Sequence, residues 1–280
     1  MSSIEVAEEM YETGEYLGSL GLVLKILEEE PDNLRALEMK ASLCCIKNRL
    51  PEAIRAYKRL LRFYESDEKV WAQLFILGSI SFNYRLLKDL DKAINYCERS
   101  VKLCERFLKI DGPHREYFAD ELSQLFWVLG DCQYKSSKYP GAVDTYVRFL
   151  RLLSEFGCLE AIADVLYELA CAYYKLNRTT EALSKYSQAL RIYDALEESA
   201  HLFSCKSKVH YSLCTIRFGA RNYEEALFHA ERCLLFLEIF YEKINDPGDM
   251  GIVEDNSIYK KAKRLQSSLE KNRFLWNKHK

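Results

Sequence analysis

Residues 163–190 run ADVLYELACAYYKLNRTTEALSKYSQAL, and the spacing within this stretch decides the fold. Apolar side chains at Leu166, Leu169 and Tyr173, then at Ala182, Tyr186 and Ala189, recur at three- and four-residue steps. One polar run, Asn177 to Thr180, interrupts them. The pattern predicts a helix, a tight turn and a second helix. Small side chains (Ala170, Ala182, Ala189) fall where the two helices must approach closely. Larger ones (Leu166, Leu169, Tyr173, Tyr186) fall where a gap between them must be filled.

Composition extends the helical reading to the whole chain. Among 280 residues, 49% are hydrophobic, enough to bury a sizeable core, and only 11 Gly and 5 Pro are present. So few breakers leave little room for linkers and favour helix over a turn-rich β fold. The formal net charge of −2 supplies no overall field to gather nucleic acid or an anionic membrane. The N-terminal MSSIEVAEEM is acidic and lacks an apolar segment of the secretory kind, Ser2 stands where myristoylation needs glycine, and no prenylation box ends the chain. The apolar runs at 74–80 and 234–241 are far shorter than the roughly 20 residues of a membrane span. A cytoplasmic or nuclear protein without membrane contact is expected.

Ten cysteines are many, but no two form a C-x2-C pair. Zinc frameworks of the usual kind need such paired spacing. Cys44, Cys132, Cys171 and Cys214 fall at core positions of predicted helices, where cysteine acts as a compact hydrophobe. Reduced structural thiols, no metal and no cofactor are the expectation.

The stretch 163–190 closely resembles a tetratricopeptide (TPR) repeat, whose roughly 34-residue pattern sets large, small and aromatic residues at these intervals. The resemblance implies an all-α fold, a right-handed α-solenoid of about six TPR-like helix-turn-helix pairs with a C-terminal capping helix. Laid along the chain, the first copy has Tyr11, a turn at Gly14 to Tyr16, and Leu20 in place of the usual Ala. The second has Leu37, Ala41, Cys44, Ala53, Tyr57 and Leu60. The third has Trp71, Leu74, Leu77 and Gly78, then Ala93 and Ile94, with its register open by about three residues. The fourth has Phe126, Leu129, Gly130, Ala142, Tyr146 and Phe149, and the sixth Leu213, Cys214, Ala226, Ala230 and Leu234. The marker residues of the later copies stand 40 or more residues apart, which lengthens helices. In this spacing the chain is similar to the extended repeats of kinesin light chains and of cell-polarity adaptors.

The repeat array is assigned to residues 1–243, followed by a helix-breaking loop at 244–251 and a basic capping helix within 252–280. The stripe Ile258, Ala262, Leu265, Leu269 and Trp276 suits docking on the last pair. Lysines and arginines from Lys260 onward make that end basic, while Glu5, Glu8, Glu9, Glu12 and Glu15 make the first helix acidic. Runs of like charge are ordinarily solvated faces; head-to-tail or partner docking is the other reading.

In TPR proteins the residues two, five, nine and twelve places into each first helix face a concave groove. The resemblance therefore implies a protein-binding groove made in the fourth pair by Gln124, Trp127, Asp131 and Tyr134. In the fifth it is made by Asp164, Tyr167, Cys171 and Tyr174, and in the sixth by Lys208, Tyr211, Thr215 and Phe218. Such aromatic rows suit a peptide or helical segment of a partner, with rings as anchors and charges fixing direction. Aromatics at these places also pack on the next pair, so each ring has a structural reading beside the functional one. Chaperone C-terminal tails are disfavoured, because Glu5, Glu9 and Ser42 stand where that carboxylate would need cations and amides.

No phosphate loop, dinucleotide fingerprint or zinc-protease motif is present, and the five histidines are scattered. His210 stands where the repeat often has Trp, a core or groove position. A non-catalytic adaptor for a protein or peptide ligand is expected. A structural subunit of a larger complex stands second. An RNA-binding TPR protein stands third, since the groove places contain one Lys and two Asp, and an enzyme regulator last.

Overall fold

A computed structural model describes residues 2–66, 69–108, 115–156, 159–243 and 252–276. All described secondary structure is helical: thirteen α-helices and, among the described residues, no strand. They are α1 (Ser3–Glu12), α2 (Tyr16–Glu29), α3 (Leu34–Ile46), α4 (Leu50–Ser66), α5 (Val70–Leu86), α6 (Leu90–Leu108), α7 (Arg115–Lys135), α8 (Tyr139–Phe156), α9 (Leu159–Lys175), α10 (Thr179–Ala195), α11 (Ala200–Gly219), α12 (Tyr223–Lys243) and α13 (Ile252–Trp276). Two compact units divide them, residues 1–145 and 146–280. No described helix is long and apolar enough to cross a membrane.

One local device makes every pair. Two residues past the end of each first helix stands a residue in the left-handed region: Gly14 (φ 83°), Asn48 (56°), Lys88 (60°), Ser137 (62°), Asn177 (59°) and Arg221 (59°). At each turn the left-handed residue's N–H reaches back three residues, and the next N–H reaches back five, as in Asn48 to Cys45 (3.0 Å) and Arg49 to Cys44 (2.7 Å). These paired bonds are the Schellman closure, which satisfies carbonyls that the helix end leaves free. Only Gly14 adopts this conformation without steric cost, and asparagine tolerates it better than lysine, serine or arginine. The second helix then starts two residues after the left-handed one in all six pairs.

Because the turn is fixed, the small residue that meets the first helix lies five places beyond it. In five pairs this is Ala53, Ala93, Ala142, Ala182 and Ala226, each fully buried. In the first pair it is Ser19 and not Leu20. Ser19 is fully buried, and its hydroxyl donates to the Ala7 carbonyl at 2.7 Å. The sequence alignment was off by one because leucine and serine both stood in a weak copy. The third pair settles likewise: Ser81, whose Oγ donates to the Ala93 carbonyl at 2.8 Å, takes the small position. Gly78 lies one helical turn too early.

Unit 1 buries alternating small and large side chains between neighbouring helices, among them Leu37, Ala41 and Cys44 of α3, Tyr57 and Leu60 of α4, and Leu74, Leu77 and Ile80 of α5. A buried polar link also spans the α7–α8 turn, where Thr145 Oγ1 donates to Gln133 Oε1 at 2.8 Å. In unit 2, Ala163, Leu166, Ala170, Ala182, Tyr186, Ala189 and Tyr193 form one core with Leu202, Val209 and Leu213 of α11. The last helix caps this unit as expected. Ala262 packs with Cys233, Leu234 and Leu237, while Leu269 packs with Cys214, Ala226 and Ala230. The loop at 244–251, the Trp276 side chain, His114 and His279 lie outside the described residues.

Ala182 has no exposed surface within its cluster. Ala182→Leu should lower stability by about 1 to 3 kcal/mol through overpacking; an unchanged urea midpoint would contradict the close approach described here.

Candidate functional site

The first helices of unit 1 carry large apolar side chains on a face that packing leaves open. On α5, Trp71, Phe75, Phe82 and Leu86 stand 41%, 63%, 45% and 48% exposed, and on α7 Trp127 stands 40% exposed. A groove of about 450 Å³ runs along Phe75, Phe82 and Leu86 of α5 and Glu121, Gln124 and Val128 of α7, with Cys45, Gly78 and Asn83 also on its lining. A second hollow of about 330 Å³, lined by Glu38, Ser42, Tyr64, Ala72 and Ile76, shares Tyr57 and Phe75 with the first.

Polar groups punctuate this wall. Cys45 Sγ donates to Asn83 Oδ1 at 3.4 Å, and Asn83 Nδ2 donates to the Ser79 carbonyl at 2.7 Å, so the amide is held in one orientation. Burial holds the Glu121 carboxyl above its ordinary range. At one end the Arg85 guanidinium lies 5.1 Å over the Phe82 ring and 3.6 Å from Asp131, which also takes the Lys135 ammonium at 2.9 Å. Arg85 Nε is buried without a hydrogen-bond partner among the described residues. An apolar trough with a fixed charged end can bury apolar side chains and orient what carries them.

The expected groove residues divide by environment. In α7, Gln124 is exposed and lines the groove, Trp127 projects, Asp131 is half-buried in its ion pairs, and Tyr134 packs edge-on to Tyr139 with centroids 5.4 Å apart. In unit 2, Tyr174 and Phe218 are each 39% exposed, and Phe218 meets Tyr223 edge-on at 5.8 Å. Lys208 is half-buried. Tyr167 turns largely inward: its ring lies 5.7 Å from that of Tyr186, and burial, with Cys171 and Glu168 nearby, lifts its phenol well above the ordinary value. Cys171 Sγ sits 3.2 Å from the Tyr186 hydroxyl, and burial pushes this thiol up to about 12. Tyr211 packs on the cluster shared by α12 and α13, and Thr215 donates its hydroxyl to the Tyr211 carbonyl at 2.6 Å. Asp164 accepts the Tyr193 hydroxyl at 2.5 Å.

Sequence reasoning missed Phe75, Phe82 and Arg85. Counting back from Ala93 with Ser81 as its small partner would have placed them, with Gly78, at the four groove-facing places of the third pair. Taking the register from Gly78 hid them.

The nine described cysteines are all free thiols. Burial raises Cys97, Cys104, Cys205 and Cys214 to about 12, which leaves them protonated and poor nucleophiles near neutrality. His210 is buried as its position predicted. Its Nδ1 lies 2.9 Å from His229 Nδ1 and its ring 5.5 Å from Phe236. Burial, reinforced by His229 and Arg232, pushes His210 down to about 4, and burial lowers His229 as well. The folded chain therefore binds fewer protons here than the unfolded chain. Stability from His210 is complete above about pH 6.5 and is lost as pH falls toward 4, by up to about 3 kcal/mol. The denaturant midpoint should drop over that interval, and His210→Phe should flatten the drop; an equal slope in the variant would contradict this assignment.

Residues 163–196 match the family described as tetratricopeptide repeat. None of the curated proteins matches the sequence. Solved structures share the fold. The apo form of RapI is 15% identical over 90% of this chain and 80% of its own, with a TM-score of 0.62. BtubC (BKLC) from P. vanneervenii is 19% identical over 81% and 92%, with a TM-score of 0.53. YrrB, described as a TPR protein with an unusual peptide-binding site, is 18% identical over 68% and 84%, with a TM-score of 0.50.

Proposed function

We propose that this chain, built of tetratricopeptide-like helix pairs with an unmistakable repeat at residues 163–196, is a non-catalytic adaptor that binds a peptide or helical segment of a partner protein. The observation that carries the reading is the trough of unit 1, whose lining rings Phe75 and Phe82 stay 63% and 45% exposed. Rings ordered on rigid helices lose little entropy on binding and supply the anchors of interfaces. Asp131 and Arg85 would fix the direction of the bound segment. Gln124 and Tyr134 would border it. YrrB, with its peptide-binding site, lends the reading an analogy of fold.

Unit 2 would offer its own exposed rings, Tyr174 and Phe218, to a protein segment bound on that unit. Tyr167, Cys171, Tyr211 and Thr215 would shape the wall from beneath, and Asp164 and Lys208 would set local polarity. The charge list favours a protein ligand over RNA, because acidic groups interrupt the path a phosphate backbone would follow.

A second reading has its own observation. Leu17 of α2, Phe63 of α4, and Phe228 and Leu235 of α12 are 72%, 43%, 49% and 42% exposed on second helices. A structural subunit of a larger complex would use such outward apolar residues as well as the groove.

Affinity capture from cell extract with the wild-type chain and with Phe75→Ala, Phe82→Ala distinguishes the two. Both rings are about half exposed, so their truncation should cost about 1 to 3 kcal/mol of stability and leave the helix content unchanged, which circular dichroism checks. We expect one protein to be lost from the variant, and a synthetic segment of it to bind the variant at least tenfold more weakly. Equal recovery of the same set of proteins from both would refute the groove reading and favour the subunit.

A further inference from the structure

Two helical faces in unit 2 bring four metal-ligating side chains together. On α9, Glu160 and Asp164 stand four residues apart, and on α11, His201 and Cys205 do the same. A spacing of four puts each pair on one face of its helix. Across the gap the donor atoms converge: Cys205 Sγ lies 3.4 Å from His201 Nε2 and 3.8 Å from Asp164 Oδ1, and one donor each from Asp164, His201 and Cys205 all fall within 4.8 Å of one another. Glu160 Oε1 lies 3.5 Å from His201 Nε2, on the solvent side of the cluster.

The Cys205–His201 separation matches an edge of a tetrahedron around a small transition-metal ion, and the Cys205–Asp164 separation is a few tenths of an ångström longer. With metal–nitrogen and metal–oxygen bonds of about 2.0 to 2.1 Å and a metal–sulfur bond of about 2.3 Å, neighbouring donors stand about 3.3 to 3.6 Å apart. The donors stand in the first two turns of α9 and α11, beside the core formed by Ala163, Leu166, Leu202 and Val209, which holds their backbone positions. A supporting shell is also present. Tyr193, buried on α10, donates its hydroxyl to Asp164 Oδ1 at 2.5 Å, the oxygen that faces Cys205 Sγ, and so orients the carboxylate toward the cluster while that oxygen keeps a lone pair. Access is open, since the His201 and Glu160 side chains are 61% and 49% exposed while Cys205 is buried at the floor.

We propose that Asp164, His201 and Cys205 form a three-residue Zn²⁺ site that braces α9 against α11, with the fourth position open to solvent on the side where Glu160 stands. A mixed set of thiolate, imidazole and carboxylate donors suits Zn²⁺ better than Mg²⁺ or Ca²⁺, which take oxygen alone. On binding, the Cys205 thiol gives its proton to solvent and the sulfur takes its place on the metal. The brace joins the first helices of two successive pairs, the elements on which Asp164, Tyr174 and Phe218 stand. It would thereby stiffen that wall. The site does not depend on the adaptor reading and can be tested apart from it.

Cobalt is the probe, because Co²⁺ enters tetrahedral zinc sites and reports a thiolate ligand by its charge-transfer absorption. The full-length chain, treated with chelator and then titrated, should develop that absorption to saturation at one equivalent of Co²⁺, and Zn²⁺ should abolish it. Cys205→Ser should lose the absorption, while Cys171→Ser, a thiol on α9 outside the cluster, should keep it. His201→Ala alters an exposed ring and leaves the core intact, and should weaken Co²⁺ and Zn²⁺ at least tenfold. It should also remove the rise in melting temperature that Zn²⁺ gives the wild-type chain. No saturable absorption in the wild type, equal absorption in Cys205→Ser, or unchanged affinity in His201→Ala would each overturn the proposal. Should Cys205→Ser fail to fold, the His201→Ala affinity decides.

Discussion

Close approach between the two helices of each pair is the constraint on which the rest of the molecule depends. It is made by a small residue five places beyond a left-handed turn residue, and the turn and the contact are coupled. The Schellman closure sets where the second helix begins, and a start two residues later aims its first turn at the middle of the first helix. A larger side chain at Ser19, Ala53, Ala93, Ala142, Ala182 or Ala226 would separate the helices and expose the carbonyl-bonded serines that two of the pairs use. Substitution of the turn is tolerated more widely. Lysine, serine and arginine hold the left-handed conformation at three of the six positions. Their strain is a local cost of about 1 to 2 kcal/mol each, offset by helix burial on either side.

Packing each pair in this way uses up one side of the first helix and leaves another to solvent. In unit 1 that remaining side carries Phe75 and Phe82, which line the trough, with Arg85 over the Phe82 ring and paired to Asp131. Rings left in water are a cost to solubility that a monomeric helical protein could have avoided with charge. Their persistence around a trough of ligand-sized dimensions is the physical basis for reading that face as functional. The second helices show fewer such residues, and Leu17, Phe63, Phe228 and Leu235 are scattered over three of them.

Buried chemistry in this chain is mostly silenced. Thiols on α6, α9 and α11 are held protonated by desolvation, and the His210–His229 pair is held neutral. The cluster of Asp164, His201 and Cys205 differs from these because its donors face one another across a gap open to solvent. Desolvation alone would also protonate Cys205. A bound cation would take the place of the Cys205 proton and offset the charge that the thiolate and the Asp164 carboxylate then carry together.

What the amino-acid sequence determined by itself is local and periodic. The intervals among Leu166, Leu169, Tyr173, Ala182, Tyr186 and Ala189 specify two helices and the face by which they meet, because a helix turns its side chains through a fixed angle per residue. The same logic found Ala53, Ala142 and Ala226, the core place of His210 and the docking stripe of α13. It misplaced Leu20 and Gly78, since a periodic pattern cannot choose between registers when serine takes the small position. Tertiary structure alone decided which expected groove residues stay open, turning Tyr167 and Tyr211 toward the interior while Trp127, Tyr174 and Phe218 stay exposed. It also joined Glu160 and Asp164 to His201 and Cys205. Those two pairs lie about forty residues apart in the chain, and no short-range spacing encodes a distance that the packing of separate helices creates.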